Sequence, residues 1–599
     1  MTVLPDDGLS LAAEFPDATH EQWQRLVEGV LRKSGKEVSG EAAEDALSTT
    51  LEDGLTTRPL YTSADAAPGL PGFAPYTRGA RPEGTAAGGW DVRQRHAQPD
   101  PARANEALLG DLENGVTSLW LTVGEGGLPV AGLARALDGV YLDLAPIALD
   151  AGAEFAAAAA ELVRLHGERG TAPADVRGNL GGDPLGYAAR TGRTLDFAPF
   201  AEAARLCADT YPGLRALIVD ALPYHEAGAS AAQELGASLA TGVAYLRELT
   251  EAGLTAEEAV GQLEFRYAAT ADQFLTIAKF RAARRLWARV AEVCGLNGSD
   301  GAQRQHAVTS SVMMTRRDPW VNMLRTTVAT LAAGVGGAES VTVLPFDHAL
   351  GLPDAFARRI ARNTSTILLE ESHLSRVIDP AGGSWYVEQL TEELARAGWE
   401  FFQELERSGD KATVLRDRIA ETWAVRSRKL ATRKEPITGV SEFPHLAEKP
   451  VEREPAPLAP TGGLPRVSRD EAYEELRARS DAHLLEHGER PKVFLATLGP
   501  AAAHTARAGF AANLFQAGGI EAVTGEFEGS GARIACLCSS DSLYEEQAAA
   551  TAAALKAAGA EYVFLAGKPS SYEGVDSYVF AGCNAVDVLT STLDRLGVS

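Results

Sequence analysis

With 599 residues, 45% of them hydrophobic and 23% charged, the chain is long enough to build more than one soluble core. Its 56 basic and 81 acidic side chains leave a formal charge of −25, which argues against nucleic acid or an anionic membrane as a principal partner. The five scattered cysteines fit neither a disulfide framework nor zinc spacing, no apolar run is long enough to span a bilayer, and MTVLPDDGLSLAAEF lacks the order of a signal peptide, so a cytoplasmic protein is expected.

Residues 1–80 read as an arm. A helix is predicted from Thr19 to Lys33, with Trp23, Leu26 and Leu31 among charges, followed by a Pro- and Gly-rich extended stretch from Thr56 to Gly79. Such an arm packs on another surface rather than folding alone.

Residues 81–430 alternate short β-rich runs with helices. Strands are predicted at SLWLTVG (from Ser118), GVYLDLA (Gly139), TLDFAPF (Thr194), ALIVDAL (Ala216), EFRYAAT (Glu264), HAVTSSVMM (His306), SVTVLPFD (Ser340) and STILLEE (Ser365). Helices are predicted over Ala151–His166, Ala227–Thr250, Ala271–Val293, Val321–Ala333 and Pro353–Arg362, with Thr391–Leu405 and Asp417–Arg428 closing the region. Repeated strand–helix units predict parallel strands, and about eight of them a closed (β/α)8 barrel, an open doubly wound sheet being the alternative.

Residues 431–490 read as a linker, Pro-rich and polar from Lys434 to Val467, followed by a charged helix from Ser468 to His487. Residues 491–599 form a small α/β domain. It opens with a strand (Val493–Leu498), a Gly-Pro turn, an alanine-rich helix (Ala501–Ala517), a Gly-Gly stop and a second strand. Strands beginning at Arg533, Tyr562 and Ser577 then alternate with helices over Leu543–Ala558 and Ala585–Leu596. In doubly wound sheets of this kind the loop after the first strand is where ligands bind.

Seven runs carry a resemblance: PLYTSAD (Pro59), GFAPYTRG (Gly72), EAGASAAQELG (Glu226), IAKFRAARRLWARV (Ile277), FDHALGLP (Phe346), IDPAGGSWYVEQLTEELARAGWE (Ile378) and KEPITGVSEFP (Lys434). In this order they resemble the methylmalonyl-CoA mutase family of adenosylcobalamin-dependent radical isomerases. The resemblance implies a substrate-enclosing (β/α) barrel followed by a flavodoxin-like cobalamin-binding domain. It also implies where the reactive residues belong, and there the chain departs from the family. The family's Asp-x-His-x-x-Gly, whose histidine ligates cobalt, falls on Ala501, Ala503 and Ala506. His504 is one residue late, and one residue on a helix turns a side chain by about 100°. It is the weak candidate for cofactor binding.

The family's substrate-contacting Tyr-His pair falls on Leu222 and Pro223, while Tyr224-His225 stand two residues displaced and read as a local cap or interface pair. A barrel glutamine becomes Val308, the Ser-x-Leu near the nucleotide tail falls on Cys538 and Ser540, and the Gly-Gly falls on Ala566-Gly567. No aromatic follows Arg78-Gly79 where the family has one. A barrel lined by Val308, Leu222 and Pro223 is expected to be filled rather than open.

What the resemblance implies is therefore the non-catalytic type of chain found in heterodimeric members: no catalytic, cofactor or metal residues of its own, with adenosylcobalamin bound by a homologous large chain. The pair would interconvert (R)-methylmalonyl-CoA and succinyl-CoA in propionate metabolism, across a pseudo-twofold interface. A self-sufficient mutase using His504 is one alternative, and a free-standing barrel protein binding some other acyl-CoA or no ligand is a second.

Overall fold

The computed structural model describes residues 18–62, 69–86, 88–296 and 301–598. Eight parallel strands close into a barrel: β1 (Asp91–His96), β2 (Ser118–Thr122), β3 (Ile147–Asp150), β4 (Gly178–Gly182), β5 (Leu214–Asp220), β6 (Leu263–Ala269), β7 (Gln305–Thr309) and β8 (Ser340–Thr342). Pairing of β8 with β1 completes the ring, Ser340 opposite Asp91. Five further parallel strands make a separate sheet: β9 (Lys492–Thr497), β10 (Glu521–Val523), β11 (Ile534–Cys538), β12 (Tyr562–Ala566) and β13 (Ser577–Val579). Their order, β10-β9-β11-β12-β13, is the flavodoxin-like one, so the expected fold class is what the chain adopts.

Five of the eight predicted barrel strands lie where they were expected. GVYLDLA is a turn with Tyr141 and Leu144 exposed, and the strand begins beyond it at Ile147. TLDFAPF leads into the Ala198–Thr210 helix, whose first turn takes Pro199. STILLEE continues the Ala355–Thr366 helix through a π-turn, Ile367–Glu371. The strands that take their places were hidden by composition. β1 reads DVRQRH because its charged side chains enter the barrel rather than solvent. β4 reads GNLGG because Gly181 sits at φ +75°, where a Cβ would strike the Leu149 carbonyl of the neighbouring strand.

The barrel interior is packed with charge and one indole. Near the N-terminal end of the strands, Arg93 pairs with Glu264 at 2.6 Å, both buried, and donates to Ser118 Oγ at 3.1 Å. Burial alone would push Glu264 up, but Arg93 and Arg304 outweigh it and hold the carboxyl down at about 2. Above this pair Trp120 crosses the axis, packed with Ala148, Val308 and Leu344. The guanidiniums of Arg266 and Arg95 lie over its ring at 4.0 and 4.7 Å.

Outside the strands, the Gln273–Val293 and Trp385–Arg407 helices are locked by Arg281, which bridges Asp379 and Glu388, each at 2.5 Å. Arg78 reaches the same Asp379 at 2.6 Å and ties down the loop before β1. The arm begins with the expected helix, His20–Lys33, capped by Thr19 in a reciprocal box with Gln22. Further along, Asp53 accepts hydrogen bonds from Ser230 Oγ (2.5 Å) and Ala232 N (3.2 Å), and Glu52 pairs with Arg426 at 2.6 Å. The run PLYTSAD lies partly outside the described residues.

The segment 431–490 is ordered on both neighbours. Leu430, Ile437, Val440, Tyr473 and Leu476 share a core with the small sheet, so the Glu471–His487 helix packs with that sheet. Residues 453–469 run as a strap across the barrel mouth. Backbone bonds fasten it: Leu352 N to Glu454 O (2.8 Å), Leu464 N to Ala189 O (2.7 Å), Gly463 N to Arg190 O (3.2 Å), Val467 N to Glu226 O (2.9 Å) and Arg469 N to Val312 O (3.2 Å). Arg453 to Asp347 and Arg466 to Glu226 (2.7 Å) add ion pairs. Among the described residues no helix is long and apolar enough to cross a membrane.

Candidate functional site

Two places in this fold are where α/β proteins put chemistry: the C-terminal mouth of the barrel and the rim of the small sheet beside β9. At the mouth, Trp120 forms a floor and the strap an outer wall, enclosing a cavity of about 1280 Å³. Arg95, Arg190, Asp220, Glu226 and His348 are among its lining residues. Asp220 accepts from Arg266 (3.0 Å) and Arg190 (2.9 Å), and these two cations outweigh burial and keep its carboxyl below the usual range. Asp183 behaves oppositely: burial pushes it up to about 7, although Tyr245 donates to it at 2.5 Å and Gly186 N at 3.1 Å.

His306 stands edge-on to Trp120, its ring centroid 5.4 Å away. Because a guanidinium only donates, the 3.1 Å contact from Arg266 Nε makes His306 Nδ1 the acceptor and leaves Nε2–H to donate to Thr342 Oγ1 at 2.8 Å. Burial, with Arg93 and Arg266 nearby, keeps this imidazole neutral well below its ordinary value. The ring is therefore fixed in one tautomer as part of the filling.

The displaced pair also has a structural setting. Tyr224 and His225 sit in the short Leu222–Glu226 helix, both buried. The Tyr224 hydroxyl meets Thr241 Oγ1 at 2.8 Å, and His225 Nε2 meets Ser310 Oγ at 2.6 Å. Burial, then Lys279 and Arg426, depress the His225 imidazole. Both side chains thus tie the β5 loop to the helix after it and to the end of β7. Pro223 is buried beside them, and Leu222 and Val308 pack with Trp120 across the barrel, while above them the mouth stays open as the cavity, which the expected filling did not foresee.

At the small sheet, Ala501, Ala503 and Ala506 lie on the first turns of the Ala501–Ala517 helix and present methyl groups only. His504 is on the same helix, half-buried, and its Nδ1 has no hydrogen-bond partner among the described residues. No carboxylate therefore orients it as metal-bound imidazoles are oriented. The neighbouring loop is closed by packing. Gly499 has φ +74°, and a Cβ there would come 2.5 Å from Leu543 Cδ1. Ser539, between Cys538 and Ser540, donates from Oγ to Leu498 O at 2.9 Å.

Tyr544 fills the seam between β11 and β12. Its hydroxyl accepts from Ser539 N (2.7 Å) and lies 3.1 and 2.9 Å from the carbonyls of Leu537 and Ala566. Burial pushes this phenol up to about 12. Arg507 covers its ring at 5.1 Å while pairing with Asp541 at 2.6 Å, and a Cβ at Gly567 would meet the same guanidinium at 3.3 Å. Among the described residues no group of three or more His, Cys, Asp or Glu side chains is arranged to hold a metal ion.

Sequence reasoning missed Arg93, Arg95 and Trp120. The signal was present in the alternation of DVRQRH and SLWLT, whose odd positions share a face. It was obscured because that face is charged in β1 and aromatic in β2.

Comparison with known proteins agrees with this architecture. The pattern of the family described as methylmalonyl-CoA mutase matches residues 50–125 and 122–482, well over half of the chain. The chain is 73% identical to the methylmalonyl-CoA mutase small subunit of Streptomyces virginiae, over 100% of both chains. It is 42% identical to that of Propionibacterium freudenreichii subsp. shermanii, over 99% of this chain and 97% of the relative. Identity to the methylmalonyl-CoA mutase of Escherichia coli is 29%, over 71% of this chain and 64% of that one. By fold, by barrel sequence and by end-to-end similarity, the chain belongs to the methylmalonyl-CoA mutase family.

Proposed function

We propose that this chain is the small subunit of a heterodimeric, adenosylcobalamin-dependent methylmalonyl-CoA mutase. It supports a homologous large chain that carries the cofactor and interconverts (R)-methylmalonyl-CoA and succinyl-CoA. The observation that carries the reading is the end-to-end match to chains named small subunit, over 100% of both sequences in one case. The geometry supports it. An enclosed substrate needs the barrel interior, and Trp120 between Arg95 and Arg266 occupies it. Nor does the small sheet's rim fit a corrin cobalt, since three alanines stand where the family's motif belongs and His504 lacks a carboxylate behind it.

Our reading therefore assigns no catalytic, cofactor or metal residue to this chain, and takes the small domain to begin near residue 430, where its core begins. We place the assembly in the cytoplasm, in propionate metabolism. The test is reconstitution. The purified chain mixed with cobalamin should leave the cobalt absorption spectrum unchanged and show no isomerisation, and adding the large chain should restore turnover. A corrinoid held by the isolated chain through an axial imidazole, lost in His504→Ala, would overturn the assignment in favour of a self-sufficient mutase.

A further inference from the structure

The cavity at the barrel mouth contains a guanidinium that no carboxylate of the described residues pairs directly. Arg190, Arg453 and Arg466 on its walls are each paired with carboxylates, and Arg266 beneath pairs with Asp220. Arg95 makes no ion pair with any described residue. Its Nε reaches Thr122 Oγ1 at only 3.4 Å, and its plane rests on Trp120 at 4.7 Å. Burial pushes this guanidinium below its usual range, even though Asp150 and Glu226 pull the other way. Arg95 is half-buried, so its donors, largely unspent within the fold, face the cavity and are free to meet an anion there.

The surroundings define what fits. Leu222, Leu344, Pro345, Pro457 and Pro460 give the cavity an apolar side, the last two from the strap. His348, held down at about 3 by burial and by Arg95 and Arg466, is neutral at pH 7 and brings no second positive charge. Asp150, Asp220 and Glu226 around the mouth disfavour a multiply charged anion such as phosphate. The fork of a guanidinium matches the two oxygens of a carboxylate.

We propose that this cavity binds a small organic monocarboxylate, its carboxylate paired with Arg95 and its hydrocarbon part lying against Leu222, Leu344 and the proline strap. The inference goes beyond the subunit reading and is independent of which chain holds cobalamin. Calorimetric titration of the full chain with acetate, butyrate and inorganic phosphate tests it. Butyrate should bind saturably and more tightly than acetate, and phosphate weakest. Arg95→Met should weaken butyrate at least about tenfold, whereas Arg103→Met, which alters a lip residue paired with Glu454, should not. Circular dichroism and melting confirm folding, and if Arg95→Met does not fold, Arg95→Lys carries the test with a smaller loss. No saturable carboxylate binding, phosphate binding tighter than butyrate, or an affinity indifferent to Arg95 would overturn the proposal.

Discussion

The barrel interior and the rim of the small sheet depart from the family's expected residues in opposite ways. In the barrel, bulk and charge are present: Trp120, Arg95, Arg266 and the Arg93–Glu264 pair occupy the axis. At the rim, functional groups are missing: alanines line the helix start, and Leu543 and Tyr544 close in from the side. The contrast has an energetic meaning. A buried ion pair makes each partner depend on the other, so the barrel's filling contributes to its folding. A run of surface alanines carries no such dependence.

The sharpest way to break that comparison is Glu264→Gln. It leaves Arg93 buried with the 3.3 Å contact to Asp91 as its remaining ion pair, beside the hydrogen bond to Ser118 Oγ, and should destabilise the barrel by about 3 kcal/mol in denaturant titration. A neutral result would mean that the barrel charges are incidental.

Acid provides a second test. His225 and His306 are depressed in the folded state, so the unfolded chain binds their protons first. The stability they contribute is complete above the ordinary histidine value of 6.5 and is lost as pH falls below it. Each histidine adds a slope of up to about 1.4 kcal/mol per pH unit, Asp183, raised to about 7, gains stability over the same interval and offsets one of them, and Glu264 extends the loss between 4.5 and about 2. Calorimetry between pH 7 and 4 should show the barrel transition moving to lower temperature faster than that of the small sheet. The reverse order would sink the contrast.

Smaller still is Tyr544→Phe. It strands the buried Ser539 N–H and should lower the small sheet's stability by about 1–3 kcal/mol while leaving the barrel transition in place.

How far the sequence carried differs between the same two regions. In the small sheet every strand and helix was legible, because its strands are continuous apolar runs such as IACLC and YVFLA, buried on both faces. The Ala501–Ala517 helix was read to the residue. That alanines stand at positions 501, 503 and 506 needs only the letters. The barrel was readable as a count of units, but three strands were misplaced. A strand whose inward face is Asp91, Arg93 and Arg95 violates the rule that core means apolar, and a strand of glycines has no pattern to read. The unpaired state of Arg95 depends on which carboxylates are used up by residues up to hundreds of positions away, which no local window contains.

One consequence lies in the strap. A tether fastened to the barrel at Ala189, Arg190, Glu226, Val312 and Leu352 has almost no slack. The Arg317 contacts with Glu474 (3.3 Å) and Asp481 (2.7 Å) then hold the following helix against the barrel. Loosening at the β4 and β5 loops is thereby handed directly to the small domain. Amide exchange along residues 454–469 should slow or quicken in step with the barrel's own rim.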